Sequence, residues 1–236
     1  MSPAFEELAF FPTRLGDISL RRRHDPLLDR EVYEVKLNDE FLMSSLFTRA
    51  EIELSKLALA QSGDNEIDVL IGGLGLGYTA ATALEHKSIR SLDVIEALAE
   101  IIDWHQQGMV PLGDRLAADK RCRFIQADFF KLIGINDNTI LAGKRYHAIL
   151  LDIDHSPSHH LHPDHAVFYR PEGLHCLTRH LQTDGVFAMW SNDSPEEEFM
   201  QSLREVFCSA KAHIISFYNP YQDRDATATV YVATMQ

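Results

Sequence analysis

Residues 67–77 read Ile67-Asp68-Val69-Leu70-Ile71-Gly72-Gly73-Leu74-Gly75-Leu76-Gly77. A short apolar run that breaks into closely spaced glycines and then opens onto a helix-forming segment is typical of a buried parallel strand leading into a ligand-binding turn. Glycine suits such a turn because backbone without a Cβ can adopt positive φ and lets a ligand approach the main chain. Gly72, Gly73, Gly75 and Gly77 are therefore candidate ligand-binding residues, although a tight turn without a ligand would use the same residue type.

The spacing of the last three glycines indicates the kind of ligand. Gly73, Gly75 and Gly77 follow the pattern G-x-G-x-G. The dinucleotide fingerprint G-x-G-x-x-G would instead need its last glycine at the position of Tyr78. The difference favours an adenosyl-sulfonium nucleoside over NAD.

The chain after residue 66 alternates between strand and helix patterns, which is typical of a parallel sheet covered on both faces. The patterns predict strands at 67–72, 91–95, 122–126, 146–151 and 185–190, and helices near 77–87, 97–109, 166–181 and 195–208. The segments 213–218 and 227–234 indicate a terminal hairpin, so the last strand should run antiparallel to the others. The predicted fold is α/β: a Rossmann-like, doubly wound, mostly parallel seven-stranded sheet of the class I methyltransferase-like type.

The strand-like alternation within residues 1–47 predicts a small N-terminal β appendage. Tyr33, Val35 and Leu37 alternate with Glu34 and Lys36, so the two sets should lie on opposite faces of a strand. A hairpin turn is expected at Asn38-Asp39-Glu40.

A helix should join the appendage to the main domain. Thr48-x-x-Glu51 has the form of a capping box, and helical spacing continues to a polar break at Ser62-Gly63-Asp64-Asn65. The predicted domains are 1–47, the appendage, and 48–236, the nucleoside-binding catalytic domain.

Composition limits the partners and the location. The chain has 236 residues and a formal net charge of −13, which argues against nucleic-acid binding, since that normally needs clustered Lys and Arg. No run approaches the roughly 20 apolar residues of a membrane span, so no membrane partner is expected. Three widely separated cysteines suit a reducing compartment, and we expect a cytoplasmic protein. The oligomeric state is left open, with a homodimer among the alternatives.

Acidic residues follow three of the predicted strands, where ligands bind in open α/β sheets. Glu96 lies 19 residues beyond Gly77, a distance that suits hydrogen bonds to ribose hydroxyls, although a helix N-terminus also favours an acid. Asp128 precedes Phe129 and could accept the exocyclic amine of adenine while the aromatic ring covers the base, or it could cap a helix. Asp152 follows the apolar run 148–151, where an unpaired carboxylate is costly, so it is the leading catalytic candidate over a loop-anchoring role.

Together these residues resemble the spermidine synthase (polyamine aminopropyltransferase) family. Residues 146–157, Tyr-His-Ala-Ile-Leu-Leu-Asp-Ile-Asp-His-Ser-Pro, look like the family's Tyr-Asp-Val-Ile-Ile-x-Asp-Ser-x-Asp-Pro segment, and residues 69–77 are similar to its glycine-rich first strand. The likeness continues through 94–96 and 127–130 to 185–187 and covers nearly the whole chain.

The resemblance implies an S-adenosylmethionine-type fold and an aminopropyl transfer from decarboxylated S-adenosylmethionine to a small-molecule amine or polyamine. It implies that Glu96 binds the ribose, that Asp128 binds adenine and that Asp152 lies beside the attacking amine. The family's second aspartate falls on His155, or on Asp154 after a one-residue slip, so both join Asp152 as candidate catalytic residues.

Three positions depart from the family pattern. Its glycine-loop aspartate corresponds to Gly75, its glutamine falls near Met43, and its Tyr-His pair has no counterpart in residues 52–55. The resemblance therefore supports nucleoside binding more strongly than diamine specificity. An S-adenosylmethionine-dependent methyltransferase and a nucleoside- or metal-binding protein without turnover remain alternatives.

Five histidines lie within eleven residues of the segment that follows Asp154: His155, His159, His160, His162 and His165. Imidazole and carboxylate together can bind Zn, Fe or Ni, but this spacing matches no standard site. We expect no metal, and we expect the segment to form a flap over the acceptor pocket.

Overall fold

The computed structural model describes residues 5–38, 40–63, 66–134, 140–141 and 143–235. Within these residues, the first part of the chain forms a four-stranded antiparallel sheet. Its strands, in spatial order, are β1 (Phe5–Thr13), β2 (Gly16–Asp25), β3 (Arg30–Leu37) and β4 (Glu40–Ser44). Ile18, Leu20 and Val35 are buried and belong to the same core cluster as residues of the main domain, so this small sheet packs onto the rest of the protein.

Helix α1 (Arg49–Leu59) connects the small sheet to the main domain. Leu54 and Ala58 are fully buried, and the Ser55 hydroxyl donates a hydrogen bond to the carbonyl of Thr79 at 2.7 Å. The helix lies where the sequence predicts it, but the side chain of Thr48 makes no capping hydrogen bond. The N-terminal turn of α1 is therefore positioned by packing rather than by a capping box.

The main domain is a seven-stranded sheet within the described residues. Its spatial order is β10-β11-β9-β8-β5-β6-β7. The strands are β5 (Ile67–Gly72), β6 (Ile89–Glu96), β7 (Cys122–Gln126), β8 (Tyr146–Leu151), β9 (Leu181–Ser191), β10 (Ser209–Asn219) and β11 (Arg224–Thr234). Strand β11 runs antiparallel to both of its neighbours, β10 and β9. The other neighbouring pairs, β9–β8, β8–β5, β5–β6 and β6–β7, are parallel. The predicted fold class, including the antiparallel last strand and the preceding β appendage, is confirmed.

Helices cover both faces of this sheet. They are α2 (Tyr78–Leu84), α3 (Ala99–Gln106), α4 (Gly113–Ala118), α5 (Phe129–Gly134), α6 (Pro171–Thr178) and α7 (Glu197–Val206). Successive residues of β5 belong to different hydrophobic clusters: Val69 and Ile71 to one, and Leu70 to the other. A strand buried on both faces reads as a continuous apolar run, which is why the sequence indicates β5 so clearly.

Several local features differ from the sequence expectations. Strand β1 and the short helices α4 and α5 were not predicted, and β1 combines a bulge at Glu7/Ala9 with exposed phenylalanines that break its alternation. The helix expected over 166–181 is instead a 3-10 turn at Pro163–Val167 followed by α6. Helix α6 starts at Pro171, because a proline ring lacks the N–H that a helix interior needs but fits the first turn.

Other predictions from the sequence concern the small sheet and the segments beside it. Glu34, expected on the polar face of its strand, is buried and ion-paired with Arg23 at 2.8 Å. Asp39 of the expected hairpin turn, and Asp64 and Asn65 of the expected break, lie outside the described residues. The domain boundary at 47/48 stays a prediction. No described helix has the length and apolar character needed to cross a bilayer.

A polar contact ties the β10–β11 hairpin to the small sheet. The Tyr221 hydroxyl donates to the carboxylate of Asp25, which is buried and also accepts from Arg23 at 2.6 Å. The ring of Phe47 lies 5.7 Å from that of Phe217 on the same hairpin. The Tyr221 and Arg23 hydrogen bonds hold the pKa of Asp25 well below its ordinary value.

We expect Tyr221→Phe to lower the urea midpoint of unfolding at pH 7, because the buried Asp25 carboxylate loses a donor. A group whose pKa is lowered by folding stabilises the protein above its unfolded pKa of about 3.9, and this contribution is lost as the pH falls. The difference from the unmutated protein should therefore shrink below about pH 4. Tyr218→Phe is the matched control, because the Tyr218 hydroxyl donates to Asp223 on the exposed surface. Equal midpoints for both variants at pH 7 would contradict this role for Tyr221.

Candidate active site

A cleft of about 1100 Å³ lies at the carboxyl ends of the central parallel strands. The glycine loop, the residues after β6, β7 and β8, and the histidine-rich segment form one side of it. Strands β3 and β4, the start of α1 and the β10–β11 hairpin form the other. Ligands of open α/β sheets bind at this edge, so the cleft is the candidate site.

The glycine loop has the backbone that the sequence predicts. Gly73, Gly75 and Gly77 have φ values of 95°, 50° and 90°, in the left-handed region that favours glycine. The Gly73 N–H donates to the carbonyl of Ile95 at 2.9 Å, and the Asp152 N–H donates to the carbonyl of Gly72 at 2.8 Å. These bonds hold the loop between the ends of β6 and β8.

Glu96 lies directly beside the glycine loop and is 8% exposed. Its carboxylate accepts the N–H groups of Leu98 at 3.0 Å and Leu74 at 3.1 Å. Burial raises the pKa of Glu96, whereas these N–H groups act in the opposite direction. The N–H groups of Ala97 and Gly75 also act on this carboxylate, which lines the cleft beside the glycine loop.

Asp128, the second of the three acids that the sequence singles out, lines the cleft after β7. Its carboxylate accepts the Lys131 N–H at 3.2 Å and lies 3.2 Å from the Lys131 ammonium. Burial alone would raise the pKa of Asp128, but the contacts with Lys131 outweigh it and the pKa is lowered.

The aromatic residues after Asp128 differ in position. Phe129 touches the cleft, but it is 2% exposed and its ring packs where a Cβ on Gly72 would lie. Phe130 is half-buried and also lines the cleft. The predicted role of Phe129 in covering a base stays a prediction, and Phe130 is the more accessible ring.

Asp152 lines the cleft after β8, where the Thr79 hydroxyl donates to its Oδ2 at 2.6 Å. Burial raises the pKa of Asp152 to about 6 against the opposing effect of that hydrogen bond. Glu51, from the first turn of α1, lines the same cleft, and burial together with the charge of Asp152 raises the pKa of Glu51 to about 8. Among the described residues, neither carboxyl has an ion-pair partner.

Asp154 and His155 lie in different surroundings, because only His155 lines the cleft. Asp154 is 1% exposed and does not line the cleft; it accepts from the Leu161 N–H at 2.7 Å and the Tyr169 hydroxyl at 2.7 Å. His155 does line the cleft, and its carbonyl accepts the Asn192 N–H at 2.7 Å. The described residues contain no group of three His, Cys, Asp or Glu side chains arranged to hold a metal ion.

Sequence reasoning missed two residues of the cleft. Glu51 was assigned to a capping box, and only the direction in which α1 is packed turns this acid towards Asp152. Trp190 also lines the cleft, and its indole N–H is buried with no hydrogen-bond partner among the described residues. No signal in the residues next to Glu51 or Trp190 distinguishes a cleft residue from a first-turn acid or a core tryptophan.

Gly73 is the position where a side chain should do most damage. A Cβ there would overlap the carbonyl oxygen of Asp152, and the positive φ would strain any L-residue. We expect Gly73→Ala to lower the free energy of unfolding by at least about 2 kcal/mol and to distort the loop. Gly63→Ala is the control, because nothing lies within 4 Å of a Cβ at that position. Equal urea midpoints for the two variants would contradict this account.

The carboxyl pair should make stability depend on pH. A carboxyl with a raised folded pKa destabilises the protein increasingly as the pH rises from its unfolded pKa to its folded one. Glu51→Gln should therefore stabilise the protein more at pH 8 than at pH 5, by about 1–2 kcal/mol, in urea unfolding. Glu205→Gln, on the exposed face of α7, is the control. The same stability change at both pH values would show that Glu51 is not perturbed.

Comparison with known proteins identifies the fold. No family model matches the chain. A spermidine synthase from Thermotoga maritima is 14% identical, with a TM-score of 0.72 over 98% of this chain and 73% of its own. A spermidine synthase in complex with the transition state analogue AdoDATO is 15% identical, with a TM-score of 0.73 over 98% of this chain and 74% of its own.

A third structure, human methyltransferase-like protein 13 in complex with SAH, is 18% identical, with a TM-score of 0.54 over 79% of this chain and 78% of its own. The likeness to the spermidine synthases therefore spans nearly all of this chain, including the small N-terminal sheet. The resemblance inferred from the sequence is confirmed at the level of the fold: the chain has a spermidine synthase-like, S-adenosylmethionine-type fold.

Proposed function

We propose that this protein is a transferase that moves an aminopropyl group from decarboxylated S-adenosylmethionine to a small-molecule amine or polyamine. One observation carries the proposal. Asp152 and Glu51 face a cleft large enough for two substrates, and no described Lys, Arg or His balances their charge. Both carboxyls are half-buried, and like charges held close together are favoured when one is protonated or when a cation joins them. A protonated amine is such a cation.

The raised pKa of Asp152, about 6, suits the proton transfer that this reaction needs. An amine arrives as an ammonium ion and cannot attack until it has lost a proton. The ionised Asp152 carboxylate accepts that proton, and the free nitrogen attacks the methylene group next to the sulfonium. A carbon–nitrogen bond forms as the carbon–sulfur bond breaks, the electron pair stays on sulfur, and methylthioadenosine leaves.

The donor side of the proposal uses the glycine loop and two acids. Glu96 would accept hydrogen bonds from the ribose hydroxyls, and Asp128 would accept the exocyclic amine of adenine. The loop glycines allow the ligand to approach the backbone closely. Fixing both substrates in one cleft supplies the in-line geometry that a displacement at carbon requires.

The acceptor side of the proposal is supported by aromatic rings in the same cleft. Tyr78, Trp190, Phe47 and Phe217 line the cleft together with Glu51. Aromatic faces attract cations, at about 0.5–2 kcal/mol per contact. A cleft that contains both carboxylates and aromatic rings favours an amine with apolar methylene groups as acceptor.

A methyltransferase is the second candidate, and one position favours it. Gly75 stands where the spermidine synthase family has an aspartate, so the loop lacks an acid that would repel the carboxylate which S-adenosylmethionine carries and its decarboxylated form does not. The two functions differ in the donor: a methyltransferase requires S-adenosylmethionine and releases S-adenosylhomocysteine. Calorimetry with both donors, followed by product analysis with a panel of amines, separates them. Nucleoside binding without any product would instead indicate a non-catalytic protein.

Asp152→Asn tests the proposed chemistry. The change is nearly isosteric and removes the proton acceptor, so methylthioadenosine should bind as before while the rate of transfer falls at least about 100-fold. Asp184→Asn, at an exposed position of β9, is the matched control. A fully active Asp152→Asn variant would remove Asp152 from the mechanism. Loss of methylthioadenosine binding would show that its role is in the donor site instead.

Two further expectations complete the proposal. A cytoplasmic location is expected from the sequence alone. The sequence also leaves open whether the protein forms a homodimer. Both stay predictions, which cell fractionation and sedimentation would test.

A further inference from the structure

A buried carboxylate behind the histidine-rich segment fixes one imidazole ring. His165 Nδ1 lies 2.9 Å from Oδ1 of Asp154, which also accepts from the Tyr169 hydroxyl and the Leu161 N–H. Asp154 is 1% exposed, so this contact is shielded from water. The cluster gives His165 an orientation that a surface histidine would lack.

The contact determines which nitrogen of His165 carries a hydrogen. A carboxylate only accepts, so Nδ1 is the N–H and donates to Asp154. In the neutral imidazole, Nε2 is then an acceptor on the opposite edge of the ring. His165 lines the cleft, and no described residue is a hydrogen-bond partner of its Nε2. The ring therefore offers a free acceptor to the cleft.

Stacking places this acceptor at the nucleobase end of the cleft. The His165 ring stacks on Phe130, with centroids 3.8 Å apart and planes at 23°. Phe130 follows Asp128 by two residues, and the positive charge that His165 carries when it is protonated acts to lower the pKa of Asp128, so the two side chains lie near each other. Asp128 and His165 Nε2 are thus two hydrogen-bond acceptors beside the same region of the cleft. The hydrogen bonds of Asp154 and Tyr169 occupy neither of them.

We propose that His165 Nε2 and the Asp128 carboxylate together accept the two hydrogens of the 6-amino group of the donor's purine. The pair then selects 6-aminopurine over 6-oxopurine nucleosides, because a carbonyl in that position would face two acceptors with no hydrogen between them. This inference rests on the proposed nucleoside site and assigns His165 as a residue that determines its specificity.

The test compares the binding of methylthioadenosine and its 6-oxo analogue, methylthioinosine, by calorimetry with the full chain. His165→Phe keeps a ring to stack on Phe130 and removes the acceptor nitrogen. We expect it to bind methylthioadenosine about 3- to 10-fold more weakly, the range for one neutral hydrogen bond, with no loss for methylthioinosine. His165→Gln, whose amide can donate to Asp154 or accept from the base, should recover part of the preference and serves if the phenylalanine variant is unstable.

His175→Phe, at an exposed position of α6, is the matched control and should bind both nucleosides like the unmutated protein. An equal loss for both nucleosides in His165→Phe, or an unchanged preference, would overturn the role of His165 while leaving the nucleoside site intact. Absence of binding of either nucleoside to the unmutated protein would overturn the proposed function itself.

Discussion

The contact of Gly73 with the end of β8 is the constraint on which the rest of the site depends. The backbone of residues 72 and 73 is bonded to both neighbouring strands, through the Ile95 carbonyl and the Asp152 N–H. Only a residue without a side chain can lie this close to the Asp152 carbonyl. The glycine loop and the proposed catalytic acid therefore share one wall of the cleft, and their separation is fixed by main-chain hydrogen bonds rather than by flexible side chains.

Placing Asp152 there has an energetic cost that the fold does not remove. Thr79 supplies one hydrogen bond, but α1 brings Glu51 near the same carboxyl, so burial is compounded by repulsion. Two buried acids of the sheet are neutralised by cations: Asp68 pairs with Arg90, and Asp93 with Arg123 and Lys144. An acid pair without such partners, in a cleft, is the pattern of a site whose missing charge comes from a ligand.

The sequence predicts the parallel sheet well because its signals are local. The continuous apolar run of β5, the glycine spacing, and the acids at the ends of β6, β7 and β8 all follow from the strand period and from the rule for ligand sites in α/β sheets. Glu51 and Trp190 could not be predicted in the same way. Their place in the cleft depends on how α1 and β9 pack against distant segments, and nothing in their neighbouring residues encodes that packing.

The two halves of the cleft come from different structural units, and this bears on how specificity can change. The residues proposed to bind the donor lie on loops held by the parallel sheet, whereas Met43, Phe47 and Glu51 come from β4, the start of α1 and the residues between them. Met43 packs against Gly75, its Sδ within 2.9 Å of where a Cβ would lie, so a thioether occupies space beside the loop where the family carries an aspartate. Substitutions in the small sheet and in α1 can therefore reshape the acceptor side without disturbing the main-chain bonds that hold Gly73. A fold that holds one wall of its cleft by main-chain hydrogen bonds and builds the opposite wall from an appendage can keep the proposed donor while the proposed acceptor changes.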